Sequence, residues 1–297
     1  MGRIAKGLLG ATAVGLAGLG ALAAWPAAGP PPEIAEEGDV DRGVYLARAA
    51  GCIACHSDVE GGGAPLAGGV EFETPFGTIW SPNLTTDPVH GMGGWTIGEF
   101  ARAVRQGVSP EGEPYYPAFT YPFYARFTDQ QIADLWAAFQ TVPAAATPSA
   151  GPDMAFPFDQ RWGLKLWRAA YLYPPRTAPV EGRSDVWNRG RELVEGASHC
   201  AACHTPRGLF GQRLIEEARY AGNAALPGGD EAPPITPSAL AGAGWDIDSL
   251  AYSLRTGITP SGDAFGGSMG EVVMQGTQYL TPEDLAAMAT YLMERDG

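Results

Sequence analysis

Two short runs hold the residues best suited to chemistry, Cys52-Ile53-Ala54-Cys55-His56 and Cys200-Ala201-Ala202-Cys203-His204. They contain all four cysteines of the chain, so no thiol is left for a separate disulfide framework. A C-x-x-C-H run in an exported chain is the attachment signal for haem c. The two thiols add to the vinyl groups on one edge of the porphyrin, and two intervening residues span that distance. The adjacent histidine then lies under the ring and ligates iron. Cys52 and Cys55 are therefore expected to bind a first haem with His56 as proximal ligand, and Cys200 and Cys203 a second with His204. A zinc ribbon would not require the trailing histidine twice. A thioredoxin-like pair would need a βαβ context, and none is evident.

The elements around these runs occur twice, at an offset of about 150 residues. Trp95 to Gly107 aligns with Trp245 to Gly257, Gly107–Gly112 with Gly257–Gly262, and Phe127-Thr128-Asp129 with Leu280-Thr281-Pro282. Each copy reads as three helices joined by long loops: Val40–Ala50, Ile97–Gln106 and Asp129–Thr141, then Asp185–Gly196, Ile247–Thr256 and Pro282–Arg295. Thr128 and Thr281 are the N-caps of the last helix of each copy. Ile132, Leu135, Trp136 and Phe139, and Leu285, Met288, Ala289 and Leu292, form apolar stripes suited to a core. Strand signals are few, so the expected fold is all-α. The expected organisation is a leader and tether over 1–37, one domain over 38–142, a linker over 143–183 and a second domain over 184–297. Trp162, Leu166, Trp167, Ala170 and Tyr171 predict a helix within Phe158–Leu172 that packs against the domains.

The distal ligand decides what each haem does. A Met thioether raises the reduction potential and closes the iron to other ligands. In the second copy Met269 follows a Gly-rich loop, with Met274 as its competitor. Counting from Gly107 and Gly257, the counterpart of Met269 is Phe119, which cannot ligate iron. The first haem then draws on Met92, His90 or Met154, or is open on one side. His199 points to the second haem if to any, or else to solvent or a propionate. A ligating histidine donates its other N–H to a backbone carbonyl, and Gly63-Ala64-Pro65-Leu66 is the expected source in the first copy. Trp95 and Trp245 either reach propionates or pack in the core.

At the N-terminus, Arg3 and Lys6 precede the uncharged run Gly7–Trp25, followed by a Pro- and Ala-rich tether. The run is either a retained membrane anchor or a cleaved signal peptide. Both readings export the rest of the chain, and the anchor would hold it on the periplasmic side of the inner membrane. The net charge of −14 argues against nucleic-acid binding. It either complements a basic docking face or serves solubility.

Several stretches resemble the cytochrome c subunits of membrane-associated alcohol and gluconate dehydrogenases. They are Gly63–Gly69, Thr74–Thr85, Gly93-Gly94-Trp95, Tyr116–Phe119, Phe156-Pro157-Phe158 and Thr277–Thr281. The resemblance runs from about Gly38 to Leu292. It implies tandem class I cytochrome c domains, two covalently bound haem c groups here, and a function in passing electrons from a periplasmic dehydrogenase to quinone, a cytochrome or a terminal oxidase. Such subunits commonly carry three haems and a Met where Phe119 stands; this chain has two motifs and the Phe. The rival function is a haem enzyme, a dihaem peroxidase or thiosulfate-oxidising cytochrome, working at an open first haem.

Overall fold

A computed structural model describes residues 18, 20, 21, 24–226 and 229–295. The first half contains α1 (Val40–Ala49), a short α2 (Cys52–His56), β1 (Glu71–Thr74), β2 (Gly77–Trp80), α3 (Ile97–Gln106), α4 (Tyr121–Tyr124) and α5 (Asp129–Phe139). Next come β3 (Asp153–Met154) and α6 (Gly163–Tyr171). The second half has α7 (Asp185–Glu192), which runs into a π turn at Leu193–Ala197, then a 3-10 turn at Cys200–Ala202. It continues with α8 (Ile215–Ala218), α9 (Pro237–Gly242), α10 (Ile247–Thr256), α11 (Gly267–Gln275) and α12 (Pro282–Glu294). The six helices expected from the repeat are present, with ends shifted by a few residues or, for α7, by the π turn. Their starts follow from capping. Thr96 with Glu99 and Thr128 with Gln131 form capping boxes, and Thr281 accepts the Asp284 N–H ahead of Pro282.

The all-α expectation is corrected by a three-stranded antiparallel sheet in the order β1-β2-β3. Its hairpin pairs Thr74 with Gly77 and Glu71 with Trp80, leaving Pro75-Phe76 as a two-residue loop. Strands of four, four and two residues are too short for alternation to stand out in sequence. Gly77 has φ 133°, and a Cβ there would run into the Asp153 carbonyl, so glycine is what lets β3 approach. The anchor reading also fails to gain support. Most of Gly7–Trp25 lies outside the described residues, and among the described residues no helix is long and apolar enough to cross a membrane.

Each half closes by crossing its first helix on its last, α1 on α5 and α7 on α12. The crossings are alike in atomic detail. A Cβ on Gly43 would strike the Asp134 carbonyl, and one on Gly190 the Ala287 carbonyl. Leu46, Phe100, Ile132, Leu135 and Phe139 are buried in one half, and Leu250, Leu254, Leu285, Met288 and Leu292 in the other. The halves also bond to each other. Tyr45 donates to Asp284 (2.6 Å), and Arg126 pairs with Glu195 (2.9 Å), which also binds Arg219 (2.6 Å) and the Tyr291 hydroxyl (2.6 Å).

The linker helix α6 is more exposed than expected. It is held by Trp167 Nε1 donating to the Phe210 carbonyl (2.9 Å) and by Arg168 over the Tyr121 ring (5.3 Å). Trp162 and Leu166 remain 40% and 51% exposed.

Two outcomes follow from this packing. Gly190→Ala should destabilise the protein by about 1–3 kcal/mol through overpacking; a loss under about 0.5 kcal/mol in denaturant unfolding would show that α7 and α12 part freely. Burial pushes the Asp284 carboxyl up, but hydrogen bonds from Arg189 and Tyr45 outweigh this and hold it below its ordinary value. Its folded pKa is thus below the unfolded one. The stabilisation is complete above the unfolded carboxylate pKa of about 3.9 and is lost as pH falls through the folded value. Asp284→Asn should cost about 2 kcal/mol at neutral pH and much less in acid. An equal cost at both would assign the effect to packing.

Candidate haem-attachment sites

The two histidines are held by the same frame. His56 Nδ1 donates to the Pro82 carbonyl (2.8 Å), and His204 Nδ1 to the Pro233 carbonyl (2.7 Å). The His56 carbonyl accepts the Gly68 N–H (2.8 Å), and the His204 carbonyl that of Gly222 (3.0 Å). Ser57 Oγ accepts the Leu66 N–H (3.0 Å), and Thr205 Oγ1 that of Tyr220 (3.1 Å). The Leu66 carbonyl accepts the Leu84 N–H (2.8 Å), and the Tyr220 carbonyl that of Ile235 (2.9 Å). Leu66 and Tyr220 share the left-handed backbone, at φ 60° and 63°. The loops differ in length, yet the bonds correspond one for one.

This corrects the expected partner of His56. Leu66 does not accept from the imidazole; it braces the loop that brings Pro82 there. Asn83 locks that loop to the linker. Its side-chain amide donates to the carbonyls of Ala145 (2.8 Å) and Thr147 (2.9 Å), and its backbone N–H donates to Ser149 Oγ (2.9 Å).

The donor set fits haem c. A carbonyl can only accept, so each imidazole carries its proton on Nδ1 and keeps the Nε2 lone pair for a metal. Burial lowers the His56 pKa to about 4 and that of His204 in the same direction, so both rings are neutral at neutral pH. The four cysteines are unpaired. Burial pushes Cys52 and Cys200 up to about 12 and Cys203 upward, which keeps them as thiols, while Cys55 is exposed.

Met269 falls in the first turn of α11, half-buried against the core, rather than in a loop. The turn before it does repeat. Tyr115 N–H bonds to the Gly107 carbonyl (2.8 Å) as Phe265 N–H does to that of Gly257 (2.7 Å). Phe119 sits among the rings of Tyr115, Tyr121 and Tyr124 at 5.9–6.1 Å. Met274 is 57% exposed. Of the candidates for the first iron, Met92 is 2% exposed within the core, Met154 is held in β3 opposite Gly77, and His90 is half-buried with its N–H on Asp87. Trp95 and Trp245 pack on the core, Trp245 stacking with Phe265.

His199 behaves differently from its expected role. It takes the left-handed backbone (φ 36°) where the first copy has Gly51 (φ 66°). Its ring lies 5.7 Å from that of Tyr124 and 6.1 Å from that of Phe123, beside Gly51. It therefore faces the first motif. Pro82, Pro233 and Asp230 carried no sequence signal of a role. Asp230 Oδ2 accepts the Ser268 N–H (3.0 Å) and hydroxyl (2.8 Å), tying the start of α11 to the loop that carries Pro233.

The family model for cytochrome c matches residues 188–296. The expectation of two tandem class I domains is corrected to one matched domain, in the second half. The chain is 40% identical over 267 residues to the cytochrome c subunit of the quinone alcohol dehydrogenase of Gluconobacter oxydans (strain 621H), covering 87% of this chain and 55% of that one. It is 39% identical to the gluconate 2-dehydrogenase cytochrome c subunit of Pantoea cypripedii, over 85% of this chain and 58% of that one. It thus spans little more than half the length of these dehydrogenase subunits. A diheme cytochrome c-type protein of Cereibacter sphaeroides is 39% identical over 86% of this chain and 85% of its own. The chain therefore belongs to the family of c-type cytochromes that includes that diheme protein and the cytochrome c subunits of dehydrogenases.

Proposed function

We propose that this chain is an exported electron-transfer cytochrome that holds two haem c groups and takes electrons from a dehydrogenase partner. The observation that carries the reading is the doubled frame, in which Pro82 and Pro233 orient the histidines of two C-x-x-C-H runs identically. Haem c, when bound, supplies a one-electron redox centre at iron. Cys52 and Cys55 attach one group and Cys200 and Cys203 the other, with His56 and His204 presenting Nε2. Residues 38–142 and 184–297 are the two binding units, with 143–183 between them. Met269 is the second axial donor of the second site, and the Asp230–Ser268 bonds hold its helix in place. The relatives named as dehydrogenase subunits support a dehydrogenase partner. The net charge of −14 suits a basic docking face. Quinone, a cytochrome or a terminal oxidase would then take the electrons.

Phe119 favours a second reading, a haem enzyme at an open first iron. Carbon monoxide separates the two. A six-coordinate carrier resists it once reduced, whereas rapid binding at one site supports the enzyme.

A spectroelectrochemical titration should resolve two one-electron steps. Met269→Ala should lower the higher step alone, because thioether ligation favours ferrous iron. Phe119→Met should raise the lower step. Wild-type haems that titrate together, both with a Met–iron charge-transfer band, would mean that Met92 or Met154 reaches the first iron.

A further inference from the structure

The two motifs meet. Helix α2, which carries Cys52–His56, packs against α11, which carries Met269. The exposed Cys55 thiol lies within electrostatic reach of Cys203 and Glu271. Between the motifs stands a wall of Phe123, Tyr124 and His199, with the Tyr124 hydroxyl donating to the Ala50 carbonyl (2.6 Å). Cysteines take the vinyl edge of a haem c, so groups held at the two sites would turn their attachment edges toward these rings.

Arg213 is the cation in this junction. Its guanidinium lies 5.0 Å over the Phe123 ring, and its Nε donates to the Ala202 carbonyl at 3.5 Å. It is within electrostatic reach of Cys203, Tyr121 and Tyr124, and Tyr124 is in turn within reach of Cys52 and Cys55. Arg207 stands nearby, donating to the carbonyls of Ala202 and Gly211 (both 3.2 Å), and it faces Cys203. Arg42, Arg126, Arg189 and Arg219 all pair with carboxylates. Among the described residues no carboxylate pairs with Arg213 or Arg207. Burial lowers the Arg213 pKa to about 9, which leaves it charged at neutral pH. A half-buried cation without a counter-charge is costly to keep. Propionates do not explain it, because they leave the porphyrin edge opposite the cysteines, whereas Arg213 lies beside Cys203.

We propose that Arg213 is an electrostatic positioning residue shared by the two sites, raising the reduction potential of both, while Arg207 acts on the second site alone. The inference rests on the two-haem reading. Reduction removes one positive charge from the iron, so a fixed cation favours the reduced state. The effect is strong where water is excluded.

The test uses the full chain with its haem count fixed first by pyridine haemochrome, followed by potentiometric titration. Arg213→Gln should lower both steps, raising the oxidised-to-reduced ratio at a fixed potential about threefold or more at each. Arg213→Lys should stay near wild type, and Arg207→Gln should lower one step. Arg213→Met, which keeps the apolar reach over Phe123, is the second neutral variant and should match Arg213→Gln. Two haems with only one step moved, or none, overturns the proposal. So does an equal fall in Arg213→Lys and Arg213→Gln, which would assign the effect to shape. A wild-type count below two overturns the two-haem reading itself, and the proposal with it.

Discussion

One hydrogen bond organises each half of the molecule, from an imidazole Nδ1–H to the carbonyl of a distant proline. It fixes the tautomer, sets the ring plane and makes Nε2 a better donor. The proline lies 26 residues beyond the histidine in the first half and 29 in the second, so each acceptor must be carried back by a long loop. Bracing that loop consumes much of the surrounding structure. In the first half Leu66 and Asn83 do so, and Asn83 recruits the linker through Ala145, Thr147 and Ser149. In the second half Asn223 and Ala232 pair across the loop, and Asp230 extends the brace to α11. The loop that orients His204 is thereby fastened to the helix that carries Met269.

The helices supply the rigid frame for these loops. Gly43 and Gly190 let backbones approach where a methyl group would not fit, so each half closes around its own motif. Glu195, in the π turn just ahead of the second motif, gathers Arg126 from the first half and Arg219 and Tyr291 from the second. Buried ion pairs contribute little net stability after desolvation, but breaking one is costly. The cluster is therefore suited to fixing how the halves sit. That placement brings His199 against Gly51 and Tyr124, and Arg213 of the second half over the Phe123 ring of the first.

The parts legible in sequence are those coded locally. The C-x-x-C-H runs, the capping threonines Thr128 and Thr281, and the apolar stripes of α5 and α12 depend on residues within a few positions of each other. The hairpin was hidden because four-residue strands hold too little pattern, although Phe72, Thr74, Thr78 and Ile79 are good strand formers. Pro82 and Pro233 were hidden because a backbone carbonyl has no side-chain signature and its distance along the chain differs between the copies. In the sequence alone, His199 is tied to the second motif by its adjacency to Cys200. Its left-handed backbone turns the ring toward the other half, and that choice depends on how the halves dock. The counterpart relation of Phe119 and Met269 rests on a turn that repeats through Tyr115 and Phe265, beyond which α4 and α11 differ in length.

On the proposed function, each frame holds a covalently attached haem. Intact mass of the denatured chain measures this directly. Two haem groups should survive denaturation, and Cys200→Ser with Cys203→Ser should retain one. A bare polypeptide, or a single haem in the wild type, would contradict it.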